Sequence, residues 1–489
     1  MKRRRFLGLG VGAAAATGAA SVPGVGTAWA ESADVQFDAR PGEAVDRAFE
    51  YVTRAMDAYQ QDSTLRIIQS YSDAQRQSNP LFFSEALPAT AFIYDTSLAI
   101  IAFLGRRRHD DLHRGRRRRD DLHRAMVLGD SLLYAQAHDP VYSDGRLRSA
   151  YWVGPFVLPD ARNDSYFVRS DGTVNLVGAP WFILGGSTGE MACAGIALAH
   201  LFTHTREHRY LDGAVRLGQW IVDSAFDSTG LGGYTYGIDA NDHRIAPTKS
   251  LEHNAGVYAL FTNFLAPLTG DARWGDFGQH ARRFIDSMWN RERGFFYIGS
   301  TDGKTVNDGI LAVDVQAWSY LALLDRRYAV GLDWGKTNMA TTDTPQSLNS
   351  SLKGTLCLSG VAFTDVGRRA TEPPNPSDPP PDPDAVWFTG TAQLAAALRA
   401  RRHNVADLPT FHGDFGTALE YLTHIALAQA ALSRGQTVGG VIIPDGMGVV
   451  QASSVLNTGF GLSYRPVLHV ATTSWSLIAA LGVNPFQLP

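Results

Sequence analysis

Lys249-Ser250-Leu251-Glu252-His253-Asn254 runs into Ala255-Gly256-Val257-Tyr258-Ala259-Leu260-Phe261, a polar cluster opening an apolar, small-residue helix. The same design recurs at Asp314-Val315-Gln316-Ala317-Trp318, leading into Leu321-Ala322-Leu323. Each cluster puts a carboxylate in a first helical turn, where the macrodipole favours negative charge. Small residues after Glu252 (Ala255, Gly256, Ala259) and Glu190 (Cys193, Ala194, Ala197) let helices approach and leave the acid facing a confined space. Asp314 and Trp318 are four apart and share a helix face.

Outward from these stretches, the apolar period predicts twelve helices, roughly 43–61, 91–104, 121–139, 187–204, 209–227, 250–268, 273–289, 311–325, 327–341, 385–400, 415–433 and 467–481. Even-numbered helices are Ala/Gly/Leu-rich with few charges, the pattern of burial on most sides; odd-numbered ones are amphipathic. Links from even to odd helices are tight, as at Thr205–His208 and Thr269–Ala272. Links from odd to even are long and rich in glycine and aromatics: 140–186, 228–249, 290–310, 342–384 and 434–466. Ser170-Asp171-Gly172-Thr173 and Thr301-Asp302-Gly303-Lys304 read as hairpin turns, and Pro373–Pro383 as an extended surface excursion. Alternating link lengths predict an all-α (α/α)6 toroid of six helical hairpins, with every long loop and every inner-helix start at one mouth.

The parity rule gathers Tyr94 and Asp95, Glu190, Glu252 with His253 and Asn254, Asp314 with Gln316 and Trp318, Trp387 with Thr389 and Gln393, and His469 with Thr472 and Trp475. Acids facing one cleft, with aromatic faces and amides beside them, are the vocabulary of glycoside cleavage. One carboxyl protonates the leaving oxygen and another activates water or attacks the sugar carbon. Glu252 is the expected acid and Asp314 its partner, with Glu190 and Asp95 in reserve. His253, Asn254, Gln316, Trp318, Trp387, Tyr94, Trp181, Tyr236 and Trp475 are the expected sugar-binding groups. Tyr151, Trp152, Tyr234 and Phe296 are further aromatics in the long links.

The remaining features set bounds. Met1-Lys2-Arg3-Arg4-Arg5-Phe6-Leu7-Gly8, a Gly/Ala-rich stretch and Ala28-Trp29-Ala30 read as a twin-arginine export signal over 1–30. That leaves 31–489 as one domain and predicts an extracellular or periplasmic protein without a membrane anchor. A net charge of −4 implies no nucleic-acid partner. The basic run 105–114 and its near copy 115–124 are interleaved with aspartates and read as a tandem duplication in a reverse-face surface loop. Cys193 and Cys357 form no disulfide framework, no Cys/His spacing suits a metal, and no phosphate-binding loop or other cofactor motif is present.

Lys249–Phe261, Asp314–Leu323, Val386–Ala395 and the stretch Gly439-Gly440 to Trp475, with Ala452-Ser453-Ser454 and Thr458-Gly459-Phe460-Gly461, resemble the six-hairpin glycosidase superfamily. More narrowly, they resemble bacterial twin-arginine-signal proteins within it. The resemblance implies a carbohydrate substrate and chemistry drawn from inverting hydrolysis, unsaturated-uronyl hydrolysis, sugar epimerisation or polysaccharide lysis; fold alone does not select among them. It also implies an acid in the Trp-Phe-x-Gly-Thr segment, where this chain has Thr389. A secreted glycoside hydrolase is the expectation. An epimerase or lyase would instead need His or Tyr at the cleft floor, and a noncatalytic binder would lack a desolvated acid pair.

Overall fold

A computed structural model describes residues 41–59, 64–74, 89–109, 115–153, 167–176, 184–376, 378–404 and 413–489. Trp181 and the proposed export signal lie outside them. The helices are α1 (Pro41–Asp57), α2 (Ile93–His109), α3 (Gly115–Ala137), α4 (Thr188–Thr205), α5 (His208–Ala225), α6 (Leu251–Tyr258, continuing through a π-helical stretch Ala259–Leu265 to Ala266–Thr269), α7 (Arg273–Ser287), α8 (Asp314–Leu323), α9 (Val330–Asn338), α10 (Phe388–Asn404), α11 (Asp414–Leu432) and α12 (Val470–Leu481).

The even helices form a closed ring. Each packs on the next, from α2 through α4, α6, α8 and α10 to α12, and α12 returns to α2. Each also packs on an odd partner outside it. Composition explains the layers. Every residue of α4 from Thr188 to Phe202 is buried, whereas α5 buries Tyr210, Leu211, Ala214, Leu217 and Ile221 and exposes Asp212, Arg216 and Gln219. Two inner helices, α4 and α6, are started by side-chain caps: Ser187 accepts from the Glu190 amide and Ser250 from that of His253, each worth about 1 kcal/mol.

The mouth is closed by a second ring made of backbone. Phe92 pairs with Ala150, Ser187 with Gly237, Ser250 with Gly299, Ala312 with Thr364, Trp387 with Ala452, and His469 with Tyr71. In each pair the first residue lies just before an inner helix and the second lies in the following long connection. The last pair joins the end of the chain to the loop between α1 and α2. At the far end the C-terminal segment crosses the ring. Asn484 and Gln487 donate to the carbonyl of Leu321, His200 contacts the Pro485 carbonyl at 2.9 Å, and Phe486 packs on Trp318 at 4.8 Å.

Several local expectations are corrected. Helix α9 ends at Asn338, and Ala340–Asp343 instead forms a strand against Leu358–Val361. The Thr301–Lys304 turn exists, held by Asp302, but its leading strand pairs with Lys249–Ser250 rather than across the turn. The Pro373–Pro383 excursion is anchored, not merely draped: Asp378 and Asp382 are buried, Arg465 binds Asp378 at 3.0 Å, and Asp382 neighbours Asp343. Asp343 accepts the hydroxyls of Ser350, Ser453 and Ser454, which gives the Ser453-Ser454 pair a structural role. The arginine duplication is helical where described, at the end of α2 and the start of α3. Arg124 binds Asp57 through two nitrogens, and Arg106 reaches Asp46 at 2.8 Å. Cys193 and Cys357 are both free thiols, and no described helix is long and apolar enough to cross a membrane.

Candidate functional site

Glu252 and Asp314 line one pocket of about 190 Å³ at the mouth, from the first turns of adjacent inner helices α6 and α8. Its walls carry Tyr236, Phe363 and Phe460 as aromatics and Ser250, Ser300, Thr301 and Asn307 as hydrogen-bonding groups. Lys249 also reaches the pocket, but its ammonium is bound to Asp227 at 2.8 Å.

The four expected acids converge. Burial pushes Glu252 well above the usual carboxylate range, and the charges of Asp314 and then Glu190 push it further. Asp314 is raised to about 7 by burial, against the pull of the Val315 amide, which donates to its Oδ1 at 2.8 Å. Glu190 is raised to about 7 by burial, opposed by Ser149 and Ser187 and assisted by Asp95. First-turn acids gain only about 0.3–1 kcal/mol from the helix dipole. Raising one from its ordinary value to about 7 costs on the order of 3 kcal/mol when ionised. Helix capping alone therefore does not explain why these carboxyls are buried.

Asp95 is held differently. Its Oδ1 accepts the Ala471 amide at 2.9 Å, and His469 Nε2 lies 3.0 Å away without making a directed hydrogen bond. His469 Nδ1 meets Thr472 Oγ1 at 2.9 Å, and Thr472 meets Thr389 Oγ1 at 2.6 Å. Thr389, standing where the resemblance implied an acid, thus joins a hydroxyl chain to the His469 imidazole, which lies beside Asp95.

Asn254 and Gln316 do not present free amides to the pocket. Asn254 accepts from the Tyr234 amide at 2.8 Å and donates to the Tyr234 carbonyl at 3.0 Å and to Ser250. Gln316 does the same to Phe296, at 2.8 Å both ways, and also donates to Ala312. Each amide lies two residues after a pocket acid and twenty after the backbone it clamps. The Glu-x-Asn and Asp-x-Gln pairs are thus one repeated device: the acid enters the pocket while the amide fastens the preceding loop as a strand would. Those loops carry Tyr236 and Ile298-Gly299-Ser300 to the pocket wall.

The remaining expected binders sort by depth. His253 is buried against Gly189, and its ring lies 4.4 Å from Tyr236. Burial drives its pKa down to about 3 against a weak pull from the Tyr236 backbone, so the imidazole is neutral, and neither ring nitrogen makes a well-directed hydrogen bond. Tyr94, Trp318 and Trp475 form packing beneath the acids rather than pocket wall: Trp475 donates to the Tyr94 hydroxyl at 2.7 Å, and Trp318 lies 6.0 Å from each ring. Trp387 stands behind the pocket, 4.2 Å from Phe363. Tyr151, Trp152, Tyr234 and Phe296 are buried loop packing.

Sequence reasoning missed Phe363, Phe460 and Tyr464. Tyr464 is pushed well above its ordinary pKa by burial and then by the charges of Asp314, Glu252 and Asp95, which marks it as facing the acid cluster. The signal for this group was Gly459-Phe460-Gly461, whose glycines have φ of 81° and 82° and hold an aromatic at the pocket edge. Among the described residues, no group of three or more His, Cys, Asp or Glu is arranged to hold a metal ion.

No protein-family model matches the chain, and no curated protein matches it in sequence. Solved structures with a similar fold include a sugar epimerase from a ruminal bacterium (TM-score 0.53, 10% identity, covering 91% of this chain and 99% of that one). Cellobiose 2-epimerase from Bacillus thermoamylovorans B4167 gives 0.54 at 11% identity, covering 90% and 98%. A family 76 glycoside hydrolase (mannosidase) from Bacteroides thetaiotaomicron gives 0.52 at 11%, covering 90% and 97%. At such identities these likenesses establish the fold alone: the chain is an (α/α)6 toroid with its long loops gathered at one mouth.

Proposed function

We propose that the protein is a carbohydrate-active enzyme that hydrolyses a glycosidic bond with Glu252 and Asp314. The observation that carries this reading is the acid pair itself: two buried carboxyls on adjacent helices, lining one pocket walled by aromatic, hydroxyl and amide groups. Burial and the charges of Asp314 and Glu190 raise Glu252, which suits it to donate a proton to the leaving oxygen; Asp314, whose Oδ1 accepts the Val315 amide, is the partner that ionises to activate water or attack carbon. Glu190 raises Glu252 by its charge, and Asp95 in turn raises Glu190. Fold neighbours that include sugar epimerases and a mannosidase support a carbohydrate substrate in general terms.

A second reading is epimerisation or isomerisation of a sugar. The neutral imidazole of His253, without a well-directed hydrogen bond, beside the unpartnered Tyr236 hydroxyl favours it, because such groups move protons at carbon. A single screen separates the two. Purified protein is incubated with a panel of poly-, oligo- and monosaccharides, and both reducing-sugar release and isomer composition are followed. New reducing ends support hydrolysis; a changed isomer ratio without new reducing ends supports epimerisation; neither product over the panel sinks both. Export by the twin-arginine route is part of the proposal, resting on Arg3-Arg4-Arg5-Phe6-Leu7 and Ala28-Trp29-Ala30. A reporter fused to residues 1–30 that stays in the cytoplasm would contradict it.

A further inference from the structure

We infer that the site works from a chain end, taking one terminal sugar into a blind pocket and not cleaving within a chain. The inference rests on the carbohydrate reading above and deepens it. Cleavage inside a polymer needs a groove that lets the chain pass on both sides of the acid pair. The four acids are instead almost fully buried. Glu252 is 5% exposed, Asp314 4%, Glu190 2% and Asp95 0%.

Two backbone pairings flank the pocket, Ser250 with Gly299 and Ala312 with Thr364. A chain running sideways between α6 and α8 would have to break them. Below, Tyr94, Trp318 and Trp475 fill the ring, and Phe486 with the rest of the C-terminal segment plugs the far end. The pocket's 190 Å³ compares with the roughly 150 Å³ of a cavity that holds one benzene ring, the scale of a single sugar ring. Phe460 stands at its edge between two glycines, where the next sugar outward would lie against an aromatic face.

The walls also limit the kind of sugar. Glu252 and Asp314 line them with Glu190 and Asp95 close by, and among the described residues the one pocket-lining cation, Lys249, is already bound to Asp227. A neutral terminal sugar meets hydroxyl and amide partners there, whereas an acidic one finds no free cation among the described pocket residues.

The test uses the whole protein on a ladder of neutral oligosaccharides from disaccharide upward, the matching polysaccharide, and a cyclic oligosaccharide of the same linkage. Products are separated over time and polymer viscosity is recorded. The inference expects monosaccharide as the sole early product, viscosity that lags behind sugar release, and complete loss of activity on the cyclic substrate. Early mixtures of internal oligosaccharides, or opening of the ring, overturn the chain-end inference while leaving hydrolysis standing. In parallel, Glu252→Gln protein is titrated with the same ladder by calorimetry. Absence of both turnover and binding removes the carbohydrate reading, and this inference with it.

Discussion

Replacing Asp314 by Asn removes a charge but little volume, and its consequences for stability and for chemistry have opposite signs. The carboxyl goes from 3.8 to about 7 because it is buried. A folded-state pKa above the unfolded one means that folding binds the proton more tightly. The burial is therefore free below pH 3.8, costs progressively more as pH rises, and reaches its full cost above about pH 7. At about 1.36 kcal/mol per pH unit, the full cost is on the order of 4 kcal/mol at pH 8. For a chain of 489 residues, about 2.1 cal/mol/K of unfolding entropy per residue converts this to a Tm rise of roughly 4 °C in Asp314→Asn at pH 8. At pH 4 the two proteins should melt together. Thermal scans of both at pH 4, 6 and 8 are the assay. Turnover should meanwhile fall by about 10²–10⁴-fold. A variant less stable than wild type at pH 8, or one whose stabilisation does not depend on pH, would refute the view that Asp314 is a buried, strained carboxyl.

The same acids set the pH profile: kcat/KM should rise as Asp314 ionises near pH 7 and fall at higher pH as Glu252 loses its proton, and Asp314→Asn should abolish the acidic limb. Asn254→Ala and Gln316→Ala each strand a buried backbone N–H and C=O, so each should cost about 1–3 kcal/mol in denaturant melts; a raised KM at unchanged stability would make them sugar ligands instead. Gly189→Ala would place a methyl 2.4 Å from the His253 ring and should cost about 1–3 kcal/mol, a penalty that His253→Ala relieves in the double variant. Deleting Gly115–Arg124 should preserve fold and turnover, because the first copy brings Asp111 and Arg114 to the places of Asp121 and Arg124 before Ala125; aggregation or lost turnover would show that both copies are needed.

The toroid was legible because two independent patterns agree. Helical period separates all-round apolar helices such as α4 from half-apolar ones such as α5, and the alternation of short and long links assigns ends. The gathering of Asp95, Glu190, Glu252 and Asp314 follows from that parity and is what the structure has. The uses of their neighbours were not legible. Asn254 and Gln316 look like sugar ligands because an amide reads the same whether it meets a hydroxyl or a backbone; only its distance from Tyr234 or Phe296 in space decides. Trp318 shares a helix face with Asp314, but a turn deeper into the ring that face meets Tyr94 and Trp475 rather than open space. Phe363, Phe460 and Tyr464 come from loops, where no period predicts direction. The π-helical stretch Ala259–Leu265 has no signal in composition that separates it from ordinary helix.

The most direct measurement is turnover of the first substrate found, by wild type, Glu252→Gln and Asp314→Asn, with near-ultraviolet circular dichroism to verify the fold. Loss of about 10²-fold or more in each variant, with folding retained, is the expected result. Near wild-type turnover by both folded variants would remove the pair from the chemistry.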